Sequence, residues 1–165
     1  MMEKSKLFLL MGAPGSGKST YLSNHIKNHE GVVISRDIIR FSLVSEDEEY
    51  FSKENEVYDL FIRAIANALK FNKKVYADAT HLNEFSRAKT LRSLGKILKD
   101  VEVNIIWVRV PLKVAITQNE FRQGTRAYVP ESVIRRMYSQ ATMPSKEEGF
   151  EHIYIFDGKT EKEIL

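Results

Sequence analysis

The 165-residue chain is 43% hydrophobic and 28% charged and carries a formal net charge of +3, ordinary values for one domain long enough to bury a core. Without a cysteine it has neither a disulfide scaffold nor a thiolate metal site, and no apolar run approaches membrane-spanning length. The mild positive balance suits a polyanionic ligand without demanding one.

Residues 1–6 lead straight into an apolar run, which leaves no room for a secretory leader. A single domain over residues 1–165, placed in the cytoplasm with no obligatory protein partner, is therefore expected. Residues 7–11 (LFLLM) read as a buried strand. Next come Gly12, Ala13, Pro14, Gly15, Ser16, Gly17, Lys18 and Ser19, which satisfy G-x-x-x-x-G-K-[ST] at every fixed position, followed by Thr20. A helix-like pattern covers residues 19–29. A strand, a glycine turn and a helix in this order form a nest of backbone N–H groups at the positive end of the helix. Lys18 is expected to reach β- and γ-phosphates, and the Ser19 hydroxyl to ligate Mg²⁺.

Residues 31–35 (GVVIS) give a second strand, which ends in Ser35-Arg36-Asp37-Ile38-Ile39-Arg40. A helix starting near Asp37 would put Arg40 one turn later on the same face. Asp37 then reads either as a helix N-cap or as a base for a hydroxyl proton, and Arg40 as a bidentate phosphate clamp. The acidic run Glu46 to Glu49 reads as a solvated loop that would repel nucleic acid locally. Val57, Phe61, Ile65 and Leu69 recur at helical spacing, and Val75 to Ala77 give a third strand. That strand ends in Asp78-Ala79-Thr80-His81-Leu82-Asn83. Asp78 could support Mg²⁺ through water, contact a substrate, or belong to a capping turn, and His81 reads as solvated or structural.

A helix over residues 84–98 should bury Phe85, Ala88, Leu91, Leu94 and Leu98, with its lysines and arginines on a solvated face. Residues 101–110 give a fourth strand containing Trp107, and helices should begin at Pro111 and near Pro130. Between those two helices lie Arg122 and Arg126 around Gly124, a lid able to bring positive charge over a transferring phosphoryl group. Residues 152–156 give a fifth strand, and residues 160–165 a short tail or one helical turn. The alternation implies an α/β fold with a parallel sheet covered by helices on both faces. Polar clusters at the carboxyl ends of three strands place the ligand site there.

GAPGSGKST, ISRDIIR, DATHLN and RQGTRAYVPESVIRRMY together resemble the 5′-kinase domain of the phage-type polynucleotide kinases, within the P-loop kinase superfamily. The resemblance covers nearly the whole chain and implies ATP and Mg²⁺ as cofactors and strand order 2-3-1-4-5. It implies Asp37 as general base, Arg40 on the acceptor phosphate, and Asp78 and Thr80 at the acceptor site. Either Arg122 or Arg126 would be the lid arginine. The acceptor it implies is the 5′-hydroxyl of DNA or RNA. A metabolite, nucleoside or antibiotic acceptor, or a slow ATPase switch, uses the same ATP machinery. The family's bifunctional members continue into a phosphatase that starts Asp-x-Asp-Gly-Thr. Here Asp157 alone precedes its glycine, and no phosphatase is expected.

Overall fold

The computed structural model describes residues 3–26 and 31–165. Its sheet contains β1 (Ser5–Met11), β2 (Val32–Ser35), β3 (Lys74–Asp78), β4 (Val101–Val108), β5 (His152–Phe156) and β6 (Glu161–Glu163). Their spatial order is β2-β3-β1-β4-β5-β6. The first five strands pair in parallel, and β6 adds antiparallel to β5. The helices are α1 (Lys18–Ile26), α2 (Arg36–Leu43), α3 (Glu54–Phe71), α4 (Glu84–Leu94), α5 (Leu112–Glu120) and α6 (Glu131–Gln140). Residues 27–29 of the helix expected after the glycine loop lie outside the described residues.

Alternation along β1 decides which layer each side chain enters. Leu7, Leu9 and Met11 pack with Phe61 and Ile65 of α3 and with Val75, Ile105 and Trp107. Phe8 and Leu10 point the other way, to Tyr21 and Leu22 of α1. Helices therefore cover both faces, as near-continuous apolar strands require. Trp107 and Phe61 are core residues. No helix of the described residues is long and apolar enough to cross a membrane.

Three expectations need correction. The sheet has a sixth strand where a tail or helical turn was expected. Asp157 Oδ1 accepts from the backbone N–H groups of Lys159 and Thr160, both at 2.8 Å, and Gly158 takes φ +102°. The chain reverses there, and Phe156 comes to face Glu161. The Tyr21 hydroxyl donates to Glu161, and His152 meets Glu163 at 2.6 Å, so side chains pin this short edge strand.

The second correction concerns α4, which stops at Leu94 and continues as a 3₁₀ turn over Gly95–Asp100. Its buried residues are Arg87, Thr90 and Leu94, while Phe85 is 73% exposed.

The third is Arg87, expected on a solvated face and instead fully buried. Its Nε and Nη2 donate to the two Glu148 oxygens at 2.8 and 3.1 Å, and Nη1 donates to the carbonyls of His81 and Thr142. Glu148 in turn accepts from the backbone N–H of Ser145. One guanidinium thus ties α4 to the loop that closes the chain onto β5.

His81 is buried with φ +44°. The Leu10 carbonyl can only accept, so Nδ1–H donates to it at 2.8 Å, and Nε2 faces the Thr90 hydroxyl at 3.1 Å. Burial pushes its pKa from 6.5 down to about 4, against the opposing hydrogen bond to Leu10. The ring is a neutral strut that fixes the loop after β3 to the end of β1.

Arg87→Met should destabilise the protein by about 3–5 kcal/mol, because Glu148 is left buried without its partner. Adding Glu148→Leu should recover much of that loss, and urea titrations of the three proteins measure both effects. For His81, the unfolded chain takes up a proton near pH 6.5 but the folded chain only near 4. Stability present above pH 6.5 is therefore lost as pH falls through this window, by up to about 3 kcal/mol. His81→Asn has no such proton and tolerates the positive φ. Urea midpoints from pH 7 to 4.5 should fall more steeply for the wild type than for the variant.

Candidate active site

The glycine loop spans β1 and α1, and its shape is set by close approach. A Cβ on Gly15 would stand 2.4 Å from the Ala115 carbonyl oxygen of α5, and the residue holds φ +81°. A Cβ on Gly12 would stand 2.7 Å from Ser16 Oγ and 2.9 Å from the Val108 carbonyl oxygen. Only glycine fits at either place. The Gly12 N–H donates to the Thr80 carbonyl at 2.9 Å, so the loop is tied to the end of β3. Lys18 Nζ donates back to the Gly12 and Ala13 carbonyls at 2.7 and 3.3 Å. Burial pushes its amine below the ordinary lysine value, opposed by the Asp78 and Asp37 carboxylates and assisted by Arg122. Ser16 Oγ is buried and has no partner.

Asp37 lies in the first turn of α2 and does not cap it. The cap is Ser35, whose Oγ accepts from the Ile38 N–H at 3.2 Å. The Asp37 side chain is 68% exposed. Its Oδ1 accepts from Arg40 Nη1 at 2.5 Å and from the Tyr50 hydroxyl at 3.3 Å, which leaves Oδ2 available to a hydroxyl proton.

Arg40 sits one turn later on the same face, as the spacing predicts, but each of its three nitrogens already donates to a carboxylate. Nε and Nη2 grip Glu54 at 2.5 and 3.0 Å while Nη1 holds Asp37. Arg36 adds a bond to Glu54 at 3.1 Å. The expected phosphate clamp is therefore closed on carboxylates. Glu54, which no motif singles out, opens α3 and anchors both arginines.

Asp78 ends β3, and burial pushes its carboxyl up; Lys18 opposes this and Asp37 adds to it. The capping alternative for this segment fails, because Asn83 caps α4 through Oδ1 and the Ser86 N–H at 2.8 Å.

The lid lies between α5 and α6. Asn119, fully buried, fixes its far end, donating to the Val129 carbonyl at 2.6 Å and accepting from the Val129 N–H at 3.2 Å. The two lid arginines differ. Arg122 is within electrostatic reach of Lys18 and Asp78. Arg126 donates to the Val44 carbonyl at 2.6 Å and lies against the rings of Phe41 and Tyr50.

A cavity of about 290 Å³ gathers most of these groups, with Pro14, Gly15, Gly17, Lys18, Ser19, Asp37, Arg40, Asp78, Thr80, Arg122 and Arg126 on its wall. Gly12 and Ala13 lie beneath it, and Ala13 is core. Ser16 and Thr20 face a second cavity of about 380 Å³ on the far side of the loop, together with Asn24 and Gln118. The two lid-facing carboxylates also border an apolar groove formed with Leu22, Ile38 and Phe41. Tyr50, Glu54 and Asn119 carry no motif. The signals available for them were an aromatic after an acidic run, a carboxylate opening a strong helix, and an amide ahead of the lid.

The model of a family described as AAA domain matches residues 7–144. No curated protein matches the sequence. Among solved structures, a chain of the Pnkp1/Rnl/Hen1 RNA repair complex is similar, with TM-score 0.65 and 24% identity over 85% of this chain. This chain spans only 45% of that one. Kti12 of Chaetomium thermophilum, in complex with ADP-AlF3, has TM-score 0.64 and 16% identity over 93% of this chain and 89% of its own. A protein of Chloroflexus aurantiacus described as a candidate kinase has TM-score 0.66 and 15% identity over 87% of this chain and 80% of its own. At these identities the likeness speaks to the fold alone, a mostly parallel α/β sheet of the P-loop NTPase kind.

Proposed function

Because this chain belongs to the AAA domain family, we propose that it is an ATP-dependent phosphotransferase acting on an alcohol. One observation carries the reading: Asp37 lines the same cavity as Lys18 and Ser19 of the glycine loop. The residues fit a nucleotide's phosphates. The turn leaves no room for a Cβ at Gly12 or Gly15, and a half-buried lysine amine stands at its mouth, hydrogen-bonded to two backbone carbonyls. The backbone N–H groups and Lys18 would hold the phosphates, and the Ser19 hydroxyl would be the protein ligand for Mg²⁺. Mg²⁺ there supplies neutralisation of the phosphate charge. Thr20, facing the second cavity, would contact the nucleoside end.

The acceptor's hydroxyl oxygen bonds to the γ-phosphorus as the bond to the bridging oxygen of ADP breaks, and the hydroxyl proton passes to Asp37 Oδ2. Arg40 and Tyr50 hold Oδ1 meanwhile. Arg122 faces the phosphates from the lid and balances charge that develops on them. Asp78 and Thr80 border the acceptor.

For the acceptor itself, the motif likeness and the RNA repair neighbour support the 5′-hydroxyl end of a nucleic acid. A specific observation favours the second reading, a small-molecule alcohol: Arg40, the residue expected on an acceptor phosphate, is held by Glu54 and Asp37. A cytoplasmic place belongs to the same proposal, since ATP is the donor.

Labelled ATP, Mg²⁺ and a panel of 5′-hydroxyl oligonucleotides, nucleosides and small alcohols test the reading. Asp37→Asn should lower kcat by about 10²–10⁴-fold while nucleotide affinity stays near wild type. Transfer that survives this change undiminished would remove Asp37 as base. Raising salt from 50 to 200 mM should weaken an oligonucleotide acceptor steeply and a neutral alcohol little, which separates the two acceptors.

A further inference from the structure

We infer that Tyr50 is a positioning residue that makes the alignment of Asp37 depend on closure of the lid, an inference that rests on the phosphotransferase reading above. Tyr50 lies in the loop joining α2 to α3, immediately after the acidic run. That run does more than face solvent. Glu48 Oε1 accepts from the Ser45 N–H at 3.2 Å and the Ser45 hydroxyl at 3.0 Å, and meets Lys53 at 3.3 Å. Lys53 also donates to the Leu43 carbonyl at 3.0 Å. The loop is thus folded back on the end of α2, and Tyr50 is delivered to one place.

There it makes three contacts that belong to different parts of the site. Its hydroxyl donates to Asp37 Oδ1. One guanidinium, Arg40, stands 5.0 Å from the ring centroid, and a second, Arg126 of the lid, stands 5.7 Å from it. Phe41, tilted against the same ring at 5.6 Å, completes the seat for Arg126. The ring therefore lies between the arginine that holds the base and the arginine that comes with the lid.

The coupling arises from this arrangement. Asp37 is mostly exposed, so the burial that orients a core carboxylate is absent, and hydrogen bonds must do it. Arg40 supplies one and Tyr50 the other. At 3.3 Å the tyrosine bond is long for O–H···O, so small motions of the ring decide whether it forms. A closed lid puts Arg126 on the ring and holds it; an open lid removes that contact. Asp37 also senses Lys18 and Asp78 across the cavity, and Glu54 backs Arg40. From the lid itself, Arg122 acts on Lys18 and Asp78 by charge alone, whereas Arg126 lies against the ring that bonds Asp37, so Tyr50 is the contact through which the lid reaches the base.

Two variants separate the two contacts. Tyr50→Phe keeps the ring and loses the hydroxyl. The kcat should fall by about threefold to tenfold, with the KM for ATP unchanged. Tyr50→Leu loses the seat for Arg126 as well. With a non-hydrolysable ATP analogue bound, trypsin should then cut after Arg122 and Arg126 at least about fivefold faster than in the wild type, while Tyr50→Phe keeps wild-type protection. A tyrosine that merely supported the fold would neither lower kcat at an unchanged KM nor speed lid cleavage selectively. A Tyr50→Phe enzyme with a wild-type kcat, or a Tyr50→Leu lid cut at the wild-type rate, overturns the inference. Asp37→Asn run alongside keeps the failures apart, since only transfer that survives that change counts against the phosphotransferase reading.

Discussion

Parallel pairing of neighbouring strands is the constraint on which the site depends. Ser35 of β2 stands opposite Asp78 of β3, and Asp78 stands opposite Leu10 of β1. Three chain segments far apart in sequence therefore end at one level, on one edge of the sheet. That shared level fixes where the next segment of each begins. The glycine loop leaves β1 there, α2 leaves β2 one residue before Asp37, and the loop carrying Thr80 leaves β3. The Gly12 to Thr80 backbone bond and the His81 strut fasten these exits to one another. The cavity is the gap the three exits leave, closed above by the lid.

Charge inside that gap is arranged so that each ionised group leans on another. Burial pushes the Lys18 amine below the ordinary lysine value, and the two carboxylates opposite it resist. Arg40 is nearly buried and would be unfavourable there alone; Glu54 and Asp37 make it tenable. The result is a carboxylate, Asp37, fixed by its neighbours in a largely solvated position. The aromatic cluster of Phe41, Tyr50 and Phe51 supplies what water would otherwise supply to the two guanidinium groups, a negative ring face. Residues outside any motif thereby hold the motif residues in working order.

Much of this was legible in the chain. The glycine loop, the five parallel strands and the alternation of layers come from motif spacing and apolar runs, which act locally or through a period. Asp37 with Arg40 was visible because helical spacing alone places them together. The misreadings have physical reasons too. Arg87 looked like surface because arginine usually is, and its burial depends on Glu148, 61 residues further on. Phe85 looked like core because it is apolar, yet α4 turns Arg87 and Thr90 inward, the first to that same carboxylate and the second to His81. The strand β6 had a signal, Asp157-Gly158, which is a hairpin dipeptide; its significance was hidden because Glu161 to Glu163 are not apolar.

The sequence by itself determined the phosphate-binding turn, the order of strand and helix, and the identity of the charged residues at the strand ends. These depend on backbone sterics and on hydrophobic periodicity, which a residue and its near neighbours settle. Tertiary structure alone decided which partners those charges take. It turned Arg40 onto Glu54 and Asp37, made Ser35 the cap in place of Asp37, and set Arg122 within electrostatic reach of Lys18 and Asp78 with Arg126 against Tyr50. Pairing of this kind depends on distances across the fold and on the loss of water around each group, and neither is written in the spacing of residues along a chain.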